Sequence, residues 1–231
     1  MVRVEFADKS LVDIGPSTRV WVRPALKPAA GFVASNMYVL GGWIKLVAAP
    51  VQGAGAAVES PTAKLLTRGS CVFESRRTTA SVFAEAGDTR VVSKLSSQTP
   101  PASLATGQFL ALAEGKDGQT SARPPPAWMQ GVPRAFKDLL APRAERFGTR
   151  EPVPAPTQSV DYAAIEAWLK TEPVVRKALM PRWKSKASEP TFRQALIDNM
   201  RHHPEWDRIV FPEKYEPKLD TPTGAGLLPK Q

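Results

Sequence analysis

The sequence predicts a mainly β protein, a β-sandwich or a short β-solenoid, followed by a proline-rich linker and a small α-helical C-terminal region. Three observations predict it. From residue 1 to about 115, apolar and polar residues alternate in short runs, broken about every 8 to 12 residues by Gly, Pro or Asp. The 231 residues include 23 prolines, about twice the usual share, and the region from 116 to 156 is dense in them. After residue 157 the apolar spacing changes from two to three and four.

Within the β region, VRVEF alternates Val2, Val4 and Phe6 with Arg3 and Glu5, and Ala7-Asp8-Lys9 turns the chain into SLVDI, which Gly15-Pro16 ends. TRVWVRP sets Val20 and Val22 on one face, with Trp21 on the other. MYVLGGWIKLVA reads as two strands pinched at Gly41-Gly42. AAVESPTAKLLTRGSCVFES continues with Pro61 and Gly69 as breaks. SVFAEAGDTRVV, residues 81 to 92, reads as a hairpin, because Gly87-Asp88 supplies the positive φ of a tight turn. QFLALAEG adds a strand and completes a domain over residues 1–115. Residues 116–156 read as extended linker, in which PRAFKDLLAPRAERF forms a helical turn or two around Phe136, Leu139 and Leu140.

Residues 157–231 read as helices. Ser159 or Asp161 caps YAAIEAWLKTE, where Ile165, Trp168 and Leu169 share a face. PVVRKALMPRWKSKA starts at Pro173 and is bent or split by Pro181. Ser188 and Pro190 open a third helix with Phe192, Leu196 and Met200 on one side, and Pro204 ends it. The tail PEWDRIVFPEKYEPK carries Trp206, Ile209, Phe211 and Tyr215 with little periodicity and reads as an extended arm. Trp168, Leu169, Trp183, Phe192 and Leu196 are the expected core. The tryptophans fit packing in a unit short of other bulk better than a ligand groove.

The net charge is +9 and the pI about 9.8. That balance suits contact with an acidic polymer, and equally plain solubility. The excess is spread along the chain, densest at Arg76-Arg77 and RWKSK. No aromatic pair of the RNA-binding kind sits in a Gly/Lys-rich strand, which disfavours nucleic acid as partner. Cys71 is the single cysteine, so an intramolecular disulfide and a cysteine zinc site are excluded; in RGSCVF it reads as a buried small hydrophobe. No window approaches the 18 apolar residues of a membrane helix. His202 and His203 are adjacent on a helix and point about 100° apart. Asp198 and His202 share a face but would need metal ligands from elsewhere. Both histidines read as solvated residues at a helix C-terminus, where the dipole favours them. There is no G-x-S-x-G, and Gly53-Ala54-Gly55 has no phosphate-binding pattern. Glu59, Glu74 and Glu85 each fit the polar phase of a strand. The residues therefore assign no catalytic, cofactor-binding or metal site, and no cofactor.

Five short motifs, in order, resemble the FecR domain family: Ile14-Gly15-Pro16-Ser17-Thr18, Leu40-Gly41, Ser60-Pro61-Thr62-Ala63, Arg68-Gly69-Ser70 with Phe73, and Glu85-Ala86-Gly87 in the 81–92 stretch. The resemblance implies an all-β, non-enzymatic domain in the periplasm of a Gram-negative envelope. The best-known members are inner-membrane regulators that sense an outer-membrane receptor and control a sigma factor, using a cytoplasmic segment and a membrane helix before the β domain. This sequence opens directly on the β domain and is similar instead to the stand-alone exported members. Because MVRVEFADKS reads as strand and turn rather than secretory leader, the resemblance implies that earlier strands and a leader precede Met1.

The expected function is a periplasmic protein-binding or scaffold role in envelope signalling. The partner would be an envelope protein, met through an exposed strand edge or the Arg76-Arg77 face. Two rivals are weighed against it. An enzyme acting on a cell-wall or surface polysaccharide would show a pocket with two carboxylates at glycosidase separation. A basic nucleic-acid binder would show strongly salt-dependent affinity.

Overall fold

Strands form wherever the alternation places them: β1 (Val2–Glu5), β2 (Leu11–Ile14), β3 (Arg19–Val22), β4 (Met37–Val47), β5 (Ala56–Glu59), β6 (Ala63–Thr67), β7 (Ser70–Ser75), β8 (Thr79–Ala86), β9 (Thr89–Ser93), β10 (Ala102–Leu104), β11 (Phe109–Ala113) and β12 (Gln119–Ser121). The computed structural model describes residues 1–22, 35, 37–50, 55–96, 100–138 and 159–216. It divides into two units, Met1–Ser159 and Val160–Gln231.

Among the described residues the first unit is a twelve-stranded sheet folded over one core. Its hinge is β4, which is one strand rather than the two expected. Residues 37–41 of β4 pair with β3 and β5, whereas residues 42–47 pair with β2 and β7. The halves therefore run β1-β2-β4-β7-β8-β11-β12 and β3-β4-β5-β6-β9-β10. Every pairing is antiparallel except β4 with β5, which favours the sandwich over the solenoid of the two expected architectures. Gly42 makes the passage between halves at φ +112°, and a Cβ there would stand 2.6 Å from Thr18 Cα. Thr18 seals the bend. Its hydroxyl accepts the Trp43 N–H at 3.0 Å and lies 3.1 Å from the Trp43 carbonyl.

The 81–92 stretch is not a hairpin. β8 pairs with β7 and β11, and β9 pairs with β6 and β10. Gly87-Asp88 is instead a corner that carries the chain from one half of the sheet to the other. Gly69 makes the reverse passage from β6 to β7. The two corners touch so closely that a Cβ on Gly69 would lie 2.0 Å from the Ala86 carbonyl oxygen. The Arg68 N–H donates to the Asp88 carbonyl at 2.9 Å and ties them together. A positive-φ glycine is needed at a hairpin and at such a corner alike, so the local pattern cannot separate them.

Between the halves, Val12, Ile44, Phe73 and Val82 meet Val39, Val58, Leu65 and Val91, with Cys71 among them as the small hydrophobe expected. Burial pushes the Cys71 thiol up to about 12. The Ser60-Pro61-Thr62-Ala63 turn is closed by the Ser60 hydroxyl, which accepts the N–H groups of Thr62 and Ala63 at 3.1 and 2.9 Å. A buried hydroxyl chain continues to Thr62 and Ser75. Next to it Glu59 meets Lys64 at 3.0 Å and Lys94 at 2.8 Å. Burial pushes its carboxyl up, but the hydrogen bonds and charge of the two ammonium groups outweigh this and hold it below the usual range.

Much of the expected linker is part of this unit. Gln119–Ser121 adds β12 to β11, and Pro126 starts helix α1 (Pro126–Gly131) at its first turn, where the missing N–H costs nothing. A 3₁₀ turn follows at Arg134–Lys137, and Val132 and Phe136 pack on Val72. Leu139, Leu140 and the rest of the linker to residue 156 lie outside the described residues.

The second unit contains α2 (Tyr162–Leu169), α3 (Pro173–Trp183), α4 (Pro190–Asp198) and α5 (Asp207–Val210), with 3₁₀ turns between and after α3, α4 and α5. Asp161 caps α2 by accepting the Ala164 N–H at 2.8 Å. α3 runs through Pro181 and tightens into a 3₁₀ turn only at Lys184, so the proline does not split the helix. Three expectations are corrected. The buried face of α2 is Tyr162, Ile165 and Leu169, and Trp168 is half-buried outside the core. The tail is not an extended arm: it winds into short turns that place Trp206 at the fully buried centre. His203 is not solvated. It is fully buried, with Nε2 3.1 Å from the Tyr162 hydroxyl.

Burial pushes the His203 imidazole below its ordinary 6.5. The folded state therefore favours the neutral ring. The stability this contributes is complete above pH 6.5 and is lost as pH falls through the depressed value. Thermal melts followed by far-ultraviolet circular dichroism should show the helical unit losing stability between pH 7 and 5. His203→Gln should flatten that slope; an unchanged slope in the variant would contradict the assignment.

Candidate partner-binding surface

Side chains alternate across each strand, so the half of the sheet containing β7 has an outer face as well as a core face. Most of that outer face is satisfied internally. Arg3 grips Asp13 through two bonds of 2.6 and 2.8 Å. Lys45 joins Glu85 at 2.8 Å and donates to the Phe136 carbonyl at 2.8 Å. α1 and the 3₁₀ turn cover Val72.

The β7–β8 turn differs. Arg76, Arg77, Thr78 and Thr79 are all exposed, and the turn is closed by the Arg76 N–H donating to the Thr79 carbonyl at 2.9 Å. Glu74, one residue inside β7, is 6% exposed. Its Oε1 accepts Arg76 Nε at 2.5 Å and its Oε2 accepts the Trp128 indole N–H at 3.0 Å. Trp128 packs its ring 5.2 Å from Trp43 and 4.9 Å from Phe109, with Phe83 beside it. Trp43 and Trp128 are both half-buried, and Trp128 shares Glu74 with the Arg76 guanidinium. Arg77 has no side-chain partner among the described residues.

The sequence singled out Arg76 and Arg77, and the structure puts both on one exposed turn. It did not single out Glu74, read as a strand residue, or Trp128, read as linker. A lone tryptophan two residues after Pro124-Pro125-Pro126 was the signal: an extended linker has no use for so large an apolar surface.

The exposed strand edges offer less. Among the described residues β1 pairs only with β2, and Met1 and Val2 are exposed there. Pro100-Pro101 precedes the edge strand β10 and withholds two backbone donors. A cleft of about 190 Å³ opens near β10 and β12, lined by Val91, Pro100, Leu110, Leu112, Asp117 and Thr120 among others. Among the described residues Asp117 is its one carboxylate, so that lining does not supply the carboxylate pair of a glycosidase. Among the described residues no group of three His, Cys, Asp or Glu is placed to hold a metal ion, and no helix is long and apolar enough to cross a membrane. Asp198 accepts from Gln194, and His202 meets Arg201.

No family model matches the chain, and no curated protein matches it. Solved structures similar to it include two crystal structures, at 1.65 and 2.50 Å resolution, of a "putative anti-sigma factor" from Parabacteroides distasonis ATCC 8503. In each, identity is 14%, the TM-score is 0.43, and the match covers 56% of this chain and 60% of that one.

Proposed function

We propose that this protein is a non-catalytic, FecR-like binding domain that holds a protein partner in the periplasm and serves envelope signalling. The Arg76-Arg77 turn is its contact. The observation that carries this reading is the contrast on one sheet face. Arg3 and Lys45 lie largely buried on internal partners, whereas the β7–β8 turn presents two exposed arginines, of which Arg76 shares Glu74 with the half-buried Trp128. Arginine and tryptophan at a partly desolvated patch are the residue types that dominate protein interfaces. The FecR resemblance supports the same class and supplies the periplasmic placement. The motifs that carry the resemblance are spent on fold: Gly69, Gly87 and Ser60 make corners and turns, which leaves the contact to other residues. A photo-cross-linking residue at position 77, in intact envelopes, should yield an adduct with one protein.

A further inference from the structure

We propose that Arg76, braced by Glu74, which Trp128 also holds, binds a carboxylate on an acidic segment of the partner protein, with an apolar side chain of that segment against Trp128 and Trp43. This rests on the protein-binding reading above and names the chemistry of the partner.

One carboxylate fixes both halves of the site. The Arg76 guanidinium and the Trp128 indole hang from the two oxygens of Glu74, so they are held side by side. The Glu74 side chain is 8% exposed and that of Arg76 is 69% exposed. An ion pair so open on one side adds little to stability. Its geometric effect is larger. With Nε engaged, the guanidinium plane is set, and the outer edge with its remaining N–H donors faces solvent. That edge is the fork that grips a carboxylate through two parallel bonds. Holding the fork in place beforehand removes much of the side-chain entropy that a free arginine would lose on binding.

Charge decides between an acidic segment and a polyanion. Glu74 cancels Arg76. On the neighbouring turn, which the Glu114 N–H ties to the Thr78 carbonyl at 2.9 Å, Glu114 and Asp117 outweigh Lys116 by one charge. Arg77 offsets that charge, so the two turns together are close to neutral. A surface with so little net charge suits one or two carboxylates, whereas nucleic acid or an acidic polymer is held by many contacts at once. The rings beside the fork suit an apolar neighbour, as in a protein chain.

The test is a titration of the full chain, watched through indole and arginine Nε–H signals by NMR. The probe is an acetylated hexapeptide amide with Leu and Glu at its centre, compared with the same peptide carrying Gln. Saturable shifts of Trp128 and Arg76 are expected with the Glu peptide, with at least fivefold weaker binding of the Gln peptide. Arg76→Gln should weaken the Glu peptide about tenfold, and Arg77→Gln about threefold. Both are surface changes that leave the fold intact, as the unshifted signals of the remaining tryptophans will report. Equal affinity for the two peptides, or no effect of Arg76→Gln, would overturn the proposal. So would saturable shifts with a uronic acid disaccharide and none with the peptide, which would reassign the patch to polysaccharide. The two readings separate cleanly. An adduct at position 77 without Glu preference refutes this chemistry alone, and Glu preference without any adduct refutes the protein-partner reading.

Discussion

Trp206→Ala is expected to unfold the helical unit while leaving the β unit folded. Trp206 is fully buried and packs with Tyr162, Ile165, Leu169, Phe192, Leu196 and Val210. Truncating a tryptophan in such a place costs about 3–5 kcal/mol, through lost burial and the cavity left behind. A unit of this size has roughly 3–5 kcal/mol to lose. Far-ultraviolet circular dichroism should therefore lose its helical signal at 25 °C, with the β-sheet melt retained. Trp168→Ala is the paired comparison. Because Trp168 is only half-buried and lies outside the core, its loss should cost about 1 kcal/mol, within the ordinary range for a partly exposed site. A Trp206 variant as stable as the Trp168 variant would refute the assignment of the core.

Gly42→Ala should be among the most damaging single changes in the β unit. The residue sits at φ +112°, where a side chain costs about 1–3 kcal/mol in backbone strain alone. The added Cβ would also lie 2.5 Å from Thr18 Oγ1 and 2.6 Å from Thr18 Cα, and the second of these is backbone that cannot swing aside. Relieving the clash means opening the bend at which β4 leaves one half of the sheet for the other. Together the two effects should exceed about 3 kcal/mol, read as a lower urea midpoint with the slope unchanged. Gly41→Ala provides the contrast. Its Cβ would meet nothing nearer than the Ser75 carbonyl oxygen at 3.6 Å, and the change should stay within about 1 kcal/mol. Equal effects at the two glycines would show that β4 does not bend where described.

These two residues mark how far the sequence could be read. The Gly41-Gly42 pair announced a break, and the break is real, but a glycine pair between apolar runs looks the same whether the strand ends or bends. Only the partners of each half, β3 and β5 against β2 and β7, separate the cases, and those pairings are long-range. Gly87-Asp88 repeats the lesson. In the helical unit, i, i+3, i+4 spacing found α2 and α4, but Tyr162 displaced Trp168 from the buried face because the neighbouring turns approach from the tyrosine side. The tryptophan content pointed to packing, but the central place of Trp206 and the burial of His203 were missed because 3₁₀ turns have no 3.6-residue period to detect. The candidate site was half legible. Paired arginines between two strands are visible as exposed charge, but the glutamate two residues earlier and the tryptophan in a proline-rich run become its supports only once α1 lies on the sheet.

The central claim is that the β7–β8 turn is where this protein meets another. A photo-cross-linking residue at position 77, compared with one at position 90 on β9 in the other half of the sheet, tests it most directly. Arg90 is exposed as well, so exposure alone cannot separate the two. The account predicts a discrete adduct from position 77 that identifies one envelope protein, is lost with Arg76→Gln, and is absent from position 90. Adducts of equal yield from both positions, or from position 90 only, would contradict it.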